Sequence, residues 1–245
     1  MKLIIASLLF SIALSSAAQR ENRHKKFDKE KMEQFLPAIT RSLGGSLQQF
    51  DGLNGRVANL PQYKKLKDYA ATLGLGWFKE QNRFISEAGI TIGSSMSGDR
   101  DEKSSTIRYI GVNADLGYDL LKSEKITLYP LVGLGFQKYQ AIFYKDNSAV
   151  DFNTVLGSSA VQNSINSVKF TNGFFVYRAG LGIAFKSPKY PSNSIGLQAG
   201  YTGSFRKNDW RTNEGQTLGN APEDRISQFY ISLILTSKPW MMMKR

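Results

Sequence analysis

The sequence predicts an all-β protein, an eight-stranded antiparallel up-and-down transmembrane β-barrel. Three observations predict this fold class. Apolar residues alternate with polar or small residues along eight segments, the two faces of these segments differ in charge and glycine content, and short connections alternate with long ones. Alternation with a period of two indicates strands. Short periplasmic turns and long extracellular loops are typical of transmembrane barrels.

The composition of the 245 residues excludes several other classes of protein. There is no cysteine, which excludes a disulfide framework and a thiolate zinc site, and the single histidine excludes a multi-histidine metal site. The mean hydropathy of −0.31 excludes a bundle of membrane-spanning helices. The net charge of +12 indicates an anionic partner, either nucleic acid or a membrane surface.

The amino-terminal residues predict export. Residues 1–18 combine a basic start, a short apolar stretch and small residues before Gln19, which is the pattern of a signal peptide cleaved after Ala18. Residues 19–37 carry many charges of both signs and form a predicted periplasmic tail. Export separates the protein from the genome and therefore argues against nucleic acid as the partner.

The strands follow the tail within a predicted barrel domain at residues 38–238, and a basic extension at 239–245 ends the chain. The predicted strands cover residues 38–47, 69–78, 84–95, 109–120, 126–137, 174–185, 195–205 and 226–235. Short turns are predicted at 80–83, 121–125 and 187–194, and long loops at 48–66, 97–106, 146–171 and 206–225. An even number of strands places both ends of the barrel on the side of the short turns.

The polar face of the strands is predicted to point into the barrel. Seven of the eight segments contain only four charged residues, although 21% of the whole chain is charged. These four residues, Glu87, Asp115, Asp119 and Arg178, share the polar face with twelve glycines. A crowded barrel interior favours glycine, whereas a face in bulk water has no such need. The apolar face is therefore predicted to contact lipid, which disfavours a soluble lipocalin-like carrier.

Aromatic residues lie near both ends of the predicted strands, as an interfacial belt requires. The short-turn end has Trp77, Phe78, Phe84, Tyr118, Phe185 and Trp240, and the long-loop end has Tyr69, Phe136, Phe175, Tyr201, Phe205 and Phe229.

Two strand segments and the cleavage junction carry a family resemblance. Tyr129–Gly135, Tyr177–Gly182 and the Ala18-Gln19 junction resemble the small outer-membrane β-barrel proteins of Bacteroidota-type bacteria. The resemblance implies a Gram-negative outer-membrane location and insertion by the barrel-assembly machinery.

Catalysis is not expected. Enzymes built on outer-membrane barrels resemble one another in using a histidine as general base, because its pKa lies near the working pH. The only histidine, His24, lies in the predicted periplasmic tail. The sequence therefore predicts a non-enzymatic protein without a cofactor or a metal site.

Two groups of residues remain as candidate functional sites. Glu87, Asp115, Asp119 and Arg178 form a predicted polar cluster in the lumen, either as a paired plug or as the constriction of a narrow pore.

The second group, Arg206, Lys207, Trp210 and Arg211, lies in the last long loop, where Trp210 is predicted to be exposed like Phe152 in the preceding loop. Its cations suit anionic lipopolysaccharide, and loops on a rigid scaffold commonly bind partners. The alternatives are an envelope protein as the partner, and a role as a pore or as an accessory subunit of a transport or secretion assembly.

Overall fold

The computed structural model describes residues 37–98, 102–188 and 193–237. The predicted signal peptide at 1–18, the carboxyl-terminal extension at 239–245 and all of the charged tail except Pro37 lie outside the described residues. No helix in the described part of the chain is long and apolar enough to cross a membrane.

Eight long antiparallel strands form the barrel, and shorter elements lie in its loops. In chain order the elements are β1 (Ala38–Gln48), α1 (Asp51–Ala58), β2 (Tyr69–Gln81), β3 (Phe84–Ser97), β4 (Ser104–Tyr118), β5 (Ile126–Tyr144), α2 (Phe152–Gly157), α3 (Ser159–Ile165), β6 (Val168–Lys186), β7 (Ser194–Ser204), β8 (Asn208–Asp209), β9 (Arg211–Thr212), β10 (Glu223–Asp224) and β11 (Ser227–Ser237).

The barrel is closed, which confirms the predicted fold class. The strand order is β5-β4-β3-β2-β1-β11-β7-β6, and pairing of β5 with β6 completes the ring. Ile39 near the start of β1 lies opposite Ser237 at the end of β11. Both ends of the barrel therefore lie on the side of the short turns, which is the periplasmic side in barrels of this plan.

The β2–β3 turn shows how local residues set the hairpin. Asn82 and Arg83 both have positive φ angles, of 51° and 72°, which match the two central positions of a type I′ turn. Arg83 then donates from Nε and Nη2 to the carbonyl oxygen of Asp119, at 2.9 and 2.7 Å. The turn is thereby tied to the neighbouring β4–β5 connection.

The two faces of the strands point as predicted over the central band of the barrel. Outward side chains such as Leu73, Leu75 and Leu134 are 53 to 63% exposed, whereas the facing inward positions hold glycine, threonine and other small or polar residues. An apolar band on the outside of a closed sheet is the surface of a barrel that spans a bilayer. Such barrels belong to the Gram-negative outer membrane.

The extracellular half of the barrel differs from the prediction. β4 begins at Ser104, β5 continues to Tyr144 and β6 begins at Val168, so parts of the loops predicted at 97–106 and 146–171 are strand. Here the inward positions are apolar, as at Ile107 and Phe143. The strands have left the lipid, so an ordinary hydrophobic core inside and polar residues outside become favourable.

The aromatic belt also needs one correction. Phe78 points into the barrel, where its ring packs against Tyr129 at 6.2 Å between centroids. It follows the inward register of Thr72, Gly74 and Gly76 rather than the outward register of Trp77. Trp240 lies outside the described residues.

Candidate functional site in the lumen and extracellular cap

An ion pair lies in the middle of the lumen. Nη1 of Arg178 on β6 lies 2.7 Å from Oδ2 of Asp115 on β4, and both side chains are largely buried. The guanidinium also lies over the ring of Tyr230, 4.9 Å from its centroid. The strand between the two partners, β5, places Gly133 directly opposite each of them. The pair can therefore form across the intervening strand.

Glu87 lies on the neighbouring strand, opposite Asp115. Its carboxylate accepts a hydrogen bond from the hydroxyl of Tyr129 at 2.9 Å and another from Nε2 of Gln198 at 3.0 Å. We call Glu87, Asp115 and Arg178 the ion-pair layer. Its buried charges are paired or hydrogen-bonded, as burial away from water requires.

Asp119 does not join the ion-pair layer, although the sequence grouped the four residues. It is buried at the end of β4, where Oδ1 accepts from the backbone N–H groups of Leu121 at 3.2 Å and Leu128 at 3.3 Å. Asp119 therefore closes the β4–β5 turn. Alternation assigns a residue to a face, but it does not give the residue's height along the barrel, which is why the prediction was wrong.

A layer of neutral hydrogen bonds lies on the extracellular side of the ion pair. We call Gln48, Gln137 and Gln228 the glutamine layer. Nε2 of Gln137 donates to Gln228 at 3.1 Å, and Nε2 of Gln228 donates to Gln48 at 3.0 Å. The hydroxyl of Tyr139 donates to Gln137 at 2.9 Å. Gln137 and Gln228 stand on the polar face of predicted strands, so alternation contained a signal for them, whereas Gln48 lies in the loop predicted at 48–66.

A polar cavity of about 90 Å³ remains between the two layers, beside Arg178, Gln198 and Tyr230. A polar cavity of this size can hold ordered water.

An apolar cap covers the extracellular mouth. The extracellular cap consists of α1, the loop that carries Trp210 and the inward side chains beneath them. Its buried members are Phe50, Leu53, Val57, Leu66, Ala70, Ile107, Tyr109, Tyr139, Ala141, Phe143, Phe174, Val176, Trp210 and Ile226. Phe50 packs edge-on against Tyr139 and Trp210, at 5.2 and 5.7 Å between ring centroids.

Asp224 on β10 joins the parts of the cap. Its carboxylate accepts from the backbone N–H groups of Gly52 at 2.7 Å and Leu53 at 3.0 Å, and from Nε1 of Trp210 at 2.7 Å. No side chain of the α1 segment itself caps this helix. Asp224 therefore satisfies free N–H groups at the helix start from a distant loop. Burial raises the pKa of Asp224, against the lowering effect of these three donors.

The structure divides the predicted loop site. Arg206, Lys207 and Arg211 are exposed, but Trp210 is only 1% exposed and belongs to the cap, so its predicted exposure was wrong. The loop folds back over the barrel mouth and buries the indole. Phe152 on α2, by contrast, is 73% exposed, as predicted.

Within the described ranges, no group of three or more His, Asp or Glu side chains is placed to hold a metal ion. The contacts seen in the lumen are ion pairing and hydrogen bonding among buried side chains.

No protein-family model and no curated protein matches the sequence. Solved outer-membrane barrels are similar to it in structure. Ail, the attachment invasion locus protein of Yersinia pestis, is 16% identical with a TM-score of 0.44, over 82% of this chain and 99% of that chain. Neisserial surface protein A is 9% identical with a TM-score of 0.45, over 82% of this chain and 96% of that chain.

A major outer membrane protein from Thermus thermophilus is 10% identical, with a TM-score of 0.44, over 81% of this chain and 99% of that chain. These structural similarities concern the fold and carry no information on ligand or activity.

Proposed function

We propose that this protein is a non-enzymatic outer-membrane barrel with an envelope-structural or surface-binding role, performed by its extracellular loops. The packed extracellular cap is the observation that carries the proposal. Because Asp224, Trp210 and α1 close the mouth above the glutamine layer, the surfaces left for partners lie outside the lumen. The absence of catalysis is proposed because the only histidine, His24, lies in the tail predicted before the barrel.

Anionic lipopolysaccharide is the partner that we propose for the last long loop. Arg206, Lys207 and Arg211 are exposed there, and Trp210 anchors the same loop in the cap. A fixed loop holds its cations at lower entropic cost than a free one. We also propose insertion by the barrel-assembly machinery, an envelope protein partner and a relation to Bacteroidota-type barrels. The first and last of these rest on the Ala18-Gln19 junction and the segments Tyr129–Gly135 and Tyr177–Gly182.

The test replaces Arg206, Lys207 and Arg211 together by glutamine and measures the lipopolysaccharide that copurifies with the barrel, together with outer-membrane permeability in cells. We expect less copurified lipopolysaccharide and a more permeable membrane. The matched control replaces Arg56, Lys64 and Lys65, three exposed cations of the first loop. Wild-type behaviour of the first variant, or equal loss in both variants, would contradict the proposal.

A further inference from the structure

A group of cations projects from the outer wall of the barrel, away from the loop tips. Arg108 on β4, Lys138 on β5, Lys169 on β6 and Arg211 on β9 are all exposed. They alternate with inward, buried residues such as Tyr109 and Tyr139 and therefore point outward. We call these four residues the cationic strip.

The strand register brings the cationic strip together. Arg108 lies opposite Gln140, Gln140 opposite Thr171, and Thr171 opposite Arg211, so these positions form one row across four strands. Neighbouring strands lie about 4.8 Å apart, which separates the two arginine backbones by roughly 14 Å. Lys138 on β5 and Lys169 on β6 each lie two residues from this row, one on each side of it.

Neutral hydrogen bonds hold the row in place between its cations. Nε2 of Gln140 donates to Oδ1 of Asn213 at 2.9 Å, and Oγ1 of Thr171 donates to the carbonyl of Thr212 at 3.2 Å. The participating segments, 106–110, 138–142, 169–173 and 211–213, contain no Asp or Glu, and Asp209 and Glu214 flank the last of them. Among the described residues, Arg178 pairs with Asp115 and Lys186 pairs with Glu80. Neither pair uses a cation of the strip, which is therefore available to an external anion.

The cationic strip lies directly above the apolar band. Arg108 is two residues from the exposed Ile110, and Lys138 is two residues from Phe136, a separation of roughly 7 Å along a strand. The Phe136 ring packs against the exposed Phe175 at 5.2 Å between centroids. It also lies over Gly173, where a Cβ atom would come within 2.9 Å of the ring. This aromatic pair marks the edge of the bilayer core, and the strip therefore stands at the height of the lipid head groups.

The opposite wall of the barrel has a different rim. The outward residues near the extracellular ends of β1, β2 and β11 are Leu47, Tyr69 and Phe229, each more than half exposed. Lys67, the cation two residues beyond Tyr69, donates to the Tyr69 hydroxyl at 2.8 Å and lies over its ring. The four cations of the strip stand together on neighbouring strands, which indicates a localised ligand rather than general attraction to the membrane.

We propose that the cationic strip binds the phosphate groups of a phosphorylated glycolipid in the outer leaflet, whose acyl chains lie against the apolar wall below. An amphipathic ligand is favoured because the cations and the apolar band adjoin on the same strands. This proposal rests on the outer-membrane location that is part of the proposed function. It shares an anionic membrane partner with that function. It places the principal contact on the barrel wall, and Arg211 is the one residue that the strip shares with the proposed loop site.

The experiment measures binding of purified lipopolysaccharide to the full-length protein in a neutral detergent, with Arg108, Lys138 and Lys169 replaced by glutamine. Each cation near an anionic membrane surface contributes roughly a fivefold change in affinity, so the triple variant should bind on the order of 100-fold more weakly. Lipopolysaccharide with its phosphates removed should bind the wild type about as weakly. Wild-type affinity in the triple variant, or undiminished binding of the dephosphorylated lipid, would overturn the proposal.

Matched controls test whether binding is localised to the cationic strip and requires a lipid. The Arg56, Lys64 and Lys65 triple glutamine variant removes the same charge from the first loop and should retain wild-type affinity; equal weakening in both variants would refute a localised site. Heat-dependent gel migration checks that each barrel is folded. Dextran sulfate serves as a soluble polyanion without acyl chains. If dextran sulfate competed for binding as effectively as lipopolysaccharide itself, a lipid ligand would be refuted.

The loop variant distinguishes this inference from the proposed function. Because Arg211 belongs to both groups, the distinguishing variant replaces only Arg206 and Lys207 by glutamine. If this variant copurifies as much lipopolysaccharide as the wild type while the strip variant loses it, the loop proposal fails and the inference stands. The reverse result overturns the inference and leaves the loop proposal intact.

Discussion

Gly133 separates the two partners of the buried ion pair. It stands opposite both Asp115 and Arg178 on the central strand of the three, and a Cβ atom there would overlap the Asp115 carboxylate. The inward glycine is thus a steric requirement of the pair. Gly45, by comparison, has only one atom within 4 Å of its Cβ position, at the ordinary distance of 3.7 Å.

Gly133→Ala is therefore expected to destabilise the barrel by about 1–3 kcal/mol, because the Asp115 carboxylate must move in a packed interior. Gly45→Ala is the matched control and should change the free energy of unfolding little. Urea unfolding of the two variants in lipid vesicles measures the difference. Equal effects of the two substitutions would contradict the steric explanation.

The ion pair itself is expected to show strong coupling. Arg178→Gln leaves Asp115 buried without its cation, and removal of one partner of a buried pair costs about 3–5 kcal/mol. The Arg178→Gln, Asp115→Asn double variant removes both charges and should cost less than the sum of the two single variants. Unfolding free energies of the four proteins give the coupling, and additive losses would show that the pair contributes no specific stability.

At the scale of elements, α1 depends on a residue more than 170 positions away in sequence. Asp224 accepts from two N–H groups at the helix start and from the indole of Trp210. An eight-residue helix is marginal by itself. The extracellular cap therefore needs this contact between the first and last long loops.

Asp224→Ala should loosen the extracellular cap without opening the barrel. It leaves three donors without their acceptor, at a cost of about 1–3 kcal/mol for each donor that stays buried. Hydrogen exchange should become faster at Gly52 and Leu53 and remain slow in the central parts of the strands. Glu223→Ala, at the exposed neighbouring position, is the control. Equal loss of protection in the strands would show that cap and barrel unfold as one unit.

At the scale of the whole molecule, four layers of packed or hydrogen-bonded side chains follow one another along the lumen, with a polar cavity beside the ion-pair layer. The apolar cap is followed by the glutamine layer, the ion-pair layer and a cluster of Ile85, Tyr129 and Leu131 with Phe78. Eight strands give an interior just wide enough for side chains. This arrangement favours the plug over the pore that the sequence left open.

The purified protein is accordingly expected to give no stable conductance in planar bilayers. Asp224→Ala should not create one, because the glutamine and ion-pair layers remain below the cap. Discrete and reproducible current steps from the wild type would contradict a lumen closed by these layers and favour the pore.

Alternation in the sequence predicted the closed barrel and the direction of its faces because lipid imposes one rule on every strand within the bilayer. The rule ends where the strands leave the lipid, so the apolar core at Tyr139 and Phe143 was missed. Trp210 was misplaced for a related reason. A lone aromatic in a polar loop shows no period, and its burial depends on Asp224 and Phe50, which approach it only in the fold.

Quenching by brominated lipid tests the central claim, an apolar outer wall below a closed cap, most directly. The Trp210→Phe, Trp240→Phe variant retains Trp77, which is 56% exposed on the outer face. The Trp77→Phe, Trp240→Phe variant retains the buried Trp210. In vesicles of phosphatidylcholine with brominated acyl chains, the fluorescence of Trp77 should be strongly quenched and that of Trp210 nearly unchanged. Unquenched Trp77, or equal quenching of both, would contradict the account.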